Sequence, residues 1–241
     1  MKLRQITKND HKLILELDAK VYPVSEENKI NSQIIDKWYN KYPNYGMIYT
    51  NQNKIVAMAI IIPMPIITWE KLIKGECFEN TLDIKWENVI KDKNEKTEYL
   101  NIGIHIYHIE VLDREIVGKN FYKRMLQDVK QIALNYHHQI DGLSGYCVTP
   151  KGNRLFQEVL KFSNADDIIE NKNKKDISEF IVQDIQTAQI KIVECPINTD
   201  ITQLYYEQNT IPPKNYKFIS KCNMLYTTRK ESNISPVWNY L

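Results

Sequence analysis

Ile102-Gly-Ile-His-Ile-Tyr-His-Ile-Glu-Val-Leu112 is rich in β-branched residues and reads as a central strand, and its surroundings decide the fold. A basic segment with one glycine follows it, Asp113-Arg-Glu-Ile-Val-Gly-Lys119. Tyr122, Met125, Leu126, Val129, Ile132, Ala133 and Tyr136 then recur at helical spacing, the clearest amphipathic helix in the chain. Leu143 to Val148 reads as the next strand. Thr149 caps a further helix with Pro150 at its first position, and Leu155, Phe156, Val159 and Leu160 form its apolar face. Strand, loop, helix, strand, helix in this order predicts a mixed α/β sheet with helices packed on it.

Toward the amino terminus, Lys2 to Thr7 reads as a short strand. A helix capped by Asn9 or Asp10 follows, bearing Leu13, Leu15, Leu17 and Val21 and ending near Pro23. Ile34, Ile35, Trp38 and Tyr39 mark a second helix that stops before Pro43. Gly46–Thr50 and Ile55–Ile62 flank Asn51-Gln-Asn53 and predict a β-hairpin, its second strand apolar on both faces. Residues from about Trp69 to Tyr99 are polar and read as short helices or a loop excursion between strands. Toward the carboxyl terminus, Asp166–Asp176 reads as a charged loop. Phe180–Val182, Ile190–Val193 and Tyr216–Thr228 read as further strands.

The chain has 241 residues, 43% hydrophobic, enough for one large core with an appendage. A net charge of +2 on 26% charged residues leaves no strongly basic face, which argues against nucleic acid as a partner. The most apolar stretch, Ile55 to Trp69, is broken by Pro63 and Pro65, so no membrane span is expected. The first ten residues lack the apolar centre of a signal peptide. The four cysteines are widely spaced, with neither a disulfide framework nor a zinc pattern. A reduced, cytoplasmic protein is the expectation.

A backbone loop ahead of a helix is a ready anion site, and Arg114, Lys119, Lys123 and Arg124 surround this one. Gly118 permits close approach to a ligand, a geometry suited to a pyrophosphate. At this point the chain resembles the GNAT acetyltransferase superfamily over residues from about 1 to 165. The family's loop, approximately Val-x-Pro-x-x-Arg-Gly-x-Gly-x-Gly/Ala followed by two leucines, is similar to Leu112-Asp-Arg-Glu-Ile-Val-Gly118-Lys-Asn120-Phe-Tyr122 with Met125-Leu126. Gly118 matches. Arg114 stands for the proline, Val117 for the arginine, and Asn120 and Tyr122 for the later glycines. Thr149-Pro-Lys-Gly-Asn-Arg-Leu-Phe-Gln-Glu-Val-Leu-Lys-Phe162 is similar to a second family segment, Thr-Pro-x-Gly-x-x-Leu-x-x-x-Leu-Gly-Phe. It is one residue longer, with Lys161 for the glycine and Phe156 or Gln157 where other members carry a general-acid tyrosine.

The resemblance implies a GNAT-like central mixed sheet flanked by helices. Residues 1–165 would be the acyl-CoA-binding domain, with an insertion at about 69–99. Residues 166–241 would be an extension packing on the same domain, which completes the sheet, covers the acceptor site or forms a homodimer contact. It implies acetyl-CoA as co-substrate, no metal, and a small-molecule or peptide amine as acceptor. Val111, Leu112, Val117, Gly118, Lys119, Asn120, Tyr122 and Lys123 are the expected CoA-binding residues.

The amine must shed a proton to attack the thioester, and the leaving thiolate takes one. Strict alternation from Ile102 to Leu112 puts Ile106, His108, Glu110 and Leu112 on one face, which makes Glu110 the first candidate base and His108 the second. Each also reads as a charged group satisfied by a basic neighbour. Tyr146 is a candidate donor to the thiolate, or a packed core tyrosine. His105 and His108 fall on opposite faces, and His137 and His138 are adjacent, so neither pair has metal-ligand spacing. Cys147 reads as a buried, inert thiol. Trp69 and Trp86 line an acceptor pocket or anchor short helices. A catalytically degenerate binding or interaction module is the alternative that the lost glycines, the missing helix tyrosine and Lys161 favour; an amino-acid ligase or acyl-homoserine synthase is a third.

Overall fold

The computed structural model describes residues 1–21, 29–86, 99–165, 177–184, 190–196, 216–229 and 235–241. Residues 22–28 hold Pro23, the expected end of the first helix, 87–98 hold part of the expected insertion at about 69–99, and 166–176 hold the charged segment Asp166–Asp176; they lie outside the described residues. The chain begins with β1 (Lys2–Gln5), α1 (Lys8–Val21), α2 (Ser32–Tyr39), β2 (Gly46–Asn51), β3 (Lys54–Pro65) and α3 (Ile66–Ile73). Next come β4 (Leu100–Val111), α4 (Arg114–Val117), α5 (Phe121–Asn135), β5 (His138–Cys147), α6 (Pro150–Asn153) and β6 (Ser163–Asn164). The last strands are β7 (Ile177–Asp184), β8 (Ile190–Pro196), β9 (Tyr216–Lys221) and β10 (Asn223–Thr228).

Seven strands form one sheet in the order β1-β2-β3-β4-β5-β10-β6, and three form a second, β8-β7-β9. The fold class is therefore mixed α/β. β4 and β5 run parallel, while every other described pairing is antiparallel. The β2–β3 hairpin closes through Gln52 and Asn53, whose φ angles of 47° and 64° give the mirror-image turn that matches strand twist. β3 is buried along nearly its whole length, as its two-sided apolar sequence predicts.

Several elements depart from the sequence reading. α1 starts at Lys8, so Asp10 lies in its first turn and caps backwards, accepting from the Thr7 N–H at 2.8 Å and forming a forked pair with Arg4 at 2.7 Å. The buried stripe of α1 is His11, Ile14 and Asp18, because Leu13, Leu15 and Leu17 alternate with a strand's period and lie half-buried. Phe121 takes the core position at the start of α5, where Tyr122 is only half-buried. The helix after Pro150 widens into a π-turn over Arg154–Val159, with Leu160 N–H donating to Leu155 O. That winding moves Val159 off the apolar face into solvent, while Phe156 and Leu160 stay buried. Tyr216–Thr228 is two strands in two sheets, parted at Cys222.

Trp69 on α3 locks the centre of the large sheet. It is buried, and a Cβ at Gly103 on β4 or Gly142 on β5 would fall within its indole. The indole lies flat over two neighbouring strands only because both positions lack a side chain.

Candidate active site

β4 and β5 are paired from Leu100↔His138 to His105↔Ser144, and there the pairing ends. Both strands continue. β4 stays joined to β3 on its outer side as far as Val111↔Ala57, and β5 stays joined to β10 as far as Cys147↔Asn223. Held from outside and unpaired with each other, the two strands make a fork whose crotch is His105 and Ser144.

A β-bulge sets what faces the fork. On β3, Met64, Ile62, Ile60 and Met58 alternate onto one face, opposite Gly103, His105, His108 and Glu110 of β4. Tyr107 is the extra residue between Ile106 and His108. Directly opposed residues share a face, so His105, His108 and Glu110 lie together and Ile106 lies on the other side. The sequence expectation is corrected twice here: Ile106 does not share the Glu110 face, and His105 and His108 are not opposed. One inserted residue shifts the two-residue period of the strand. The shared face is the one Trp69 covers, and by alternation on β5 it also holds Gly142, Ser144 and Tyr146.

Three polar groupings meet on this face. The Tyr107 hydroxyl, against Trp38 of α2, donates to Asp18 of α1 at 2.7 Å. His108 Nε2 lies 3.6 Å from Glu110 Oε2. Trp69 Nε1 donates to Ser144 Oγ at 2.9 Å, Ser144 Oγ lies 2.9 Å from His105 Nδ1, and His105 Nε2 lies 2.7 Å from Glu79 Oε1. The His108 imidazole 3.6 Å away holds the Glu110 carboxyl below its ordinary range against the effect of burial, and the charge of Lys151 at the start of α6 adds to this. Burial holds the Asp18 carboxyl above its ordinary range, opposed by the Tyr107 hydrogen bond and the charge of His108 and reinforced by Glu79.

Past the end of β4, the expected basic loop contains the short helix α4, capped by Asp113 through the Ile116 N–H at 3.2 Å. Gly118 ends it with φ 81°, a conformation that L side chains rarely adopt. The Val117 and Gly118 amides donate to Asp113 O and Arg114 O at 3.1 and 2.9 Å. They are therefore not open to a ligand in the way the loop reading expected; local helix formation consumes them. No side chain caps α5, so its first amides, beginning at Phe121 and Tyr122, have no partner within the helix. Leu112, Lys119 and Asn120 are exposed; Val111, Val117, Tyr122 and Lys123 are half-buried, with Lys123 Nζ 5.7 Å above the Tyr240 ring.

Trp69 is a structural anchor, and Trp86 stacks on His138 at 5.8 Å, away from the fork. Burial pushes the Cys147 thiol up to about 12, reinforced by Cys222, leaving little thiolate at neutral pH. Among the described residues no group of three or more His, Cys, Asp or Glu is placed to hold a metal, and no helix is long and apolar enough to cross a membrane. Sequence reasoning missed Glu79, Asp18, His105 and Ser144. They come from separate elements, and only the bulge brings His105 to the Glu110 face.

No family model matches the chain, and no curated protein matches it. Solved structures similar to it include the Drosophila melanogaster polyamine N-acetyltransferase, at 12% identity over 94% of this chain and 99% of that one, with a TM-score of 0.41. Chaetomium thermophilum Naa20 with a bisubstrate analogue aligns at 10% identity over 97% and 89%, TM-score 0.45. Arabidopsis thaliana Naa50 with a CoA-Ac-MVNAL bisubstrate analogue aligns at 8% over 94% and 97%, TM-score 0.44. The chain's own topology, a mixed seven-stranded sheet flanked by helices, has the architecture that the GNAT resemblance implies.

Proposed function

We propose that the protein is a divergent GNAT-like N-acyltransferase that moves an acetyl or related acyl group from coenzyme A to an amine by direct attack. The observation that carries this reading is the fork. Its inner strand edges provide backbone groups for a pantetheine arm, and its trailing side leads to the uncapped start of α5 with Lys119 and Lys123 nearby for a pyrophosphate. A thioester seated in the fork lies along the stretch of β4 that bears His108 and Glu110. Glu110, with His108 beside it, receives a proton from the amine nitrogen. Tyr146, across the fork on the same face, donates to the departing thiolate. The acceptor is a small-molecule or peptide amine.

A second reading, a binding module without turnover, draws support from the Val117 and Gly118 amides spent inside α4 and from Tyr122 in place of a glycine. Acetyl-CoA calorimetry and thiol release with a panel of primary amines separate the two. Acyl transfer requires saturable acetyl-CoA binding, lost or weakened in the Lys119→Glu/Lys123→Glu double variant, together with amine-dependent thiol release. Binding without release in any amine selects the module.

A further inference from the structure

At the crotch of the fork, four side chains from four elements join in one chain of hydrogen bonds, from Trp69 through Ser144 and His105 to Glu79. The hydrogens run in one direction. An indole N–H only donates, so Ser144 Oγ accepts from Trp69 and turns its own hydrogen to His105 Nδ1. His105 then carries its proton on Nε2 and donates to Glu79, an assignment made from the network. Trp69, Ser144 and His105 are shut away from solvent, whereas Glu79 is 25% exposed. The network therefore runs from a sealed interior out to a carboxylate that solvent reaches.

Resting on the acyl-transfer reading above, the geometry points to Glu79 as a second catalytic carboxylate, with His105 and Ser144 as its positioning residues. An alkyl amine is an ammonium at neutral pH, with a pKa of about 10, and it loses two N–H protons on becoming an amide. Glu79 takes the first, which frees the nitrogen lone pair, and passes it to solvent. The nitrogen bonds to the thioester carbon and the C–S bond breaks. The second N–H proton goes to Glu110, and the thiolate sulfur gains one from Tyr146, which Glu110 restores. The sum is ammonium plus thioester to amide, thiol and one proton.

The test measures thiol release from acetyl-CoA with a panel of primary alkylamines and short peptides bearing free amino termini, in wild type, Glu79→Gln, His105→Asn and Glu110→Gln. Glutamine at 79 still accepts from His105, so the network survives without a proton acceptor. Its kcat should fall at least tenfold with the KM for acetyl-CoA unchanged, and the defect should shrink as pH approaches the amine's pKa. His105→Asn removes the hydrogen bond that aims Glu79, so its kcat should also fall with the KM for acetyl-CoA unchanged, and this defect too should shrink as pH approaches the amine's pKa. A structural role alone gives a defect that does not change with pH. If wild type is active and Glu110→Gln impaired, but Glu79→Gln keeps wild-type kcat or the Glu79→Gln and His105→Asn defects are independent of pH, this inference falls by itself. If wild type releases no thiol with any amine, the acyl-transfer reading falls and takes this one with it.

Discussion

His105 and His108 stand three positions apart on β4 and share a face, because Tyr107 is bulged out between them. The consequence is two imidazole–carboxylate pairs side by side where the sheet opens, Glu79–His105 at 2.7 Å and Glu110–His108 at 3.6 Å. The bulge also turns the Tyr107 hydroxyl to Asp18, which ties α1 to the same place.

Glu110→Gln should lower kcat by at least about tenfold while leaving acetyl-CoA affinity nearly unchanged, the contribution expected of a general base. Because His108 holds the Glu110 carboxyl low, protonation of Glu110 should contribute to the acid limb of activity only below the ordinary carboxylate range. His108→Gln should move that limb upward, toward the ordinary carboxylate value. Steady-state kinetics from pH 4 to 9 checks both, and full activity in Glu110→Gln would remove it from the mechanism.

Asp18→Asn should be at least as stable as wild type at pH 7. Burial raises the folded carboxyl above the unfolded value of about 3.9, so the folded state binds the proton more tightly. The wild type is then favoured at low pH and loses that contribution as pH rises through the folded value. Asparagine keeps an oxygen for the Tyr107 hydroxyl and has nothing to ionise. Urea melts at pH 4 and pH 7 should show the variant's relative gain at the higher pH; an equal difference at both contradicts the account.

His138 carries the opposite sign. Burial, with Lys41 and His137 nearby, lowers its folded pKa to about 4, while the unfolded imidazole titrates near 6.5. The unfolded chain therefore binds the extra proton between those values, and stability contributed by neutral His138 is lost as pH falls through that window. His138→Phe should flatten this acid-side decline. It also strands the Tyr45 hydroxyl, now 2.9 Å from His138 Nδ1, at a cost of roughly 1–3 kcal/mol at pH 8. Thermal melts across pH 4 to 8 read both effects.

Gly118→Ala should cost roughly 1–3 kcal/mol, the range for a side chain forced into a sparsely populated backbone conformation. Space is not the obstacle, since nothing lies within 4 Å of an added Cβ there. The φ of 81° is. If the α4–α5 turn relaxes to relieve it, the open amides of α5 shift and acetyl-CoA affinity falls in parallel. Denaturant melts and calorimetry on the same variant check the pair.

Much of the architecture was legible because it rests on periodicity. The alternation of Ile102–Leu112, the helical repeat from Met125 to Ala133 and the Asn51–Asn53 turn each imply one local structure. The candidate site was half legible. Glu110 and His108 sit on β4 and Tyr146 on β5, both strands that the sequence pattern marks, and the structure brings them to one face. Glu79, Asp18 and Ser144 have no local signal, since each acquires its place through a partner far along the chain. The misassigned face of β4 came from assuming a period of two where one residue is inserted, and no propensity marks Tyr107 as that residue. The leucines of α1 misled because Asp18, paired with Tyr107, occupies the buried stripe that an apolar residue usually fills.

β10, which closes the far side of β5, belongs to the last part of the chain, beyond the three strands of the second sheet. A nascent chain released from the ribosome only as far as α6 therefore has β1 to β5 in hand, with one edge of β5 bare. Closing so long a loop adds little to the equilibrium cost, since loop entropy grows slowly with length, but it delays completion of the sheet, and non-local pairings of this kind slow folding. During that interval an unpaired edge flanked by Leu143 and Tyr146 is a template for strands of other chains. Expression of residues 1–165 alone should then give aggregate rather than a smaller folded protein, and slow translation through the last third of the message should lower the yield of folded protein.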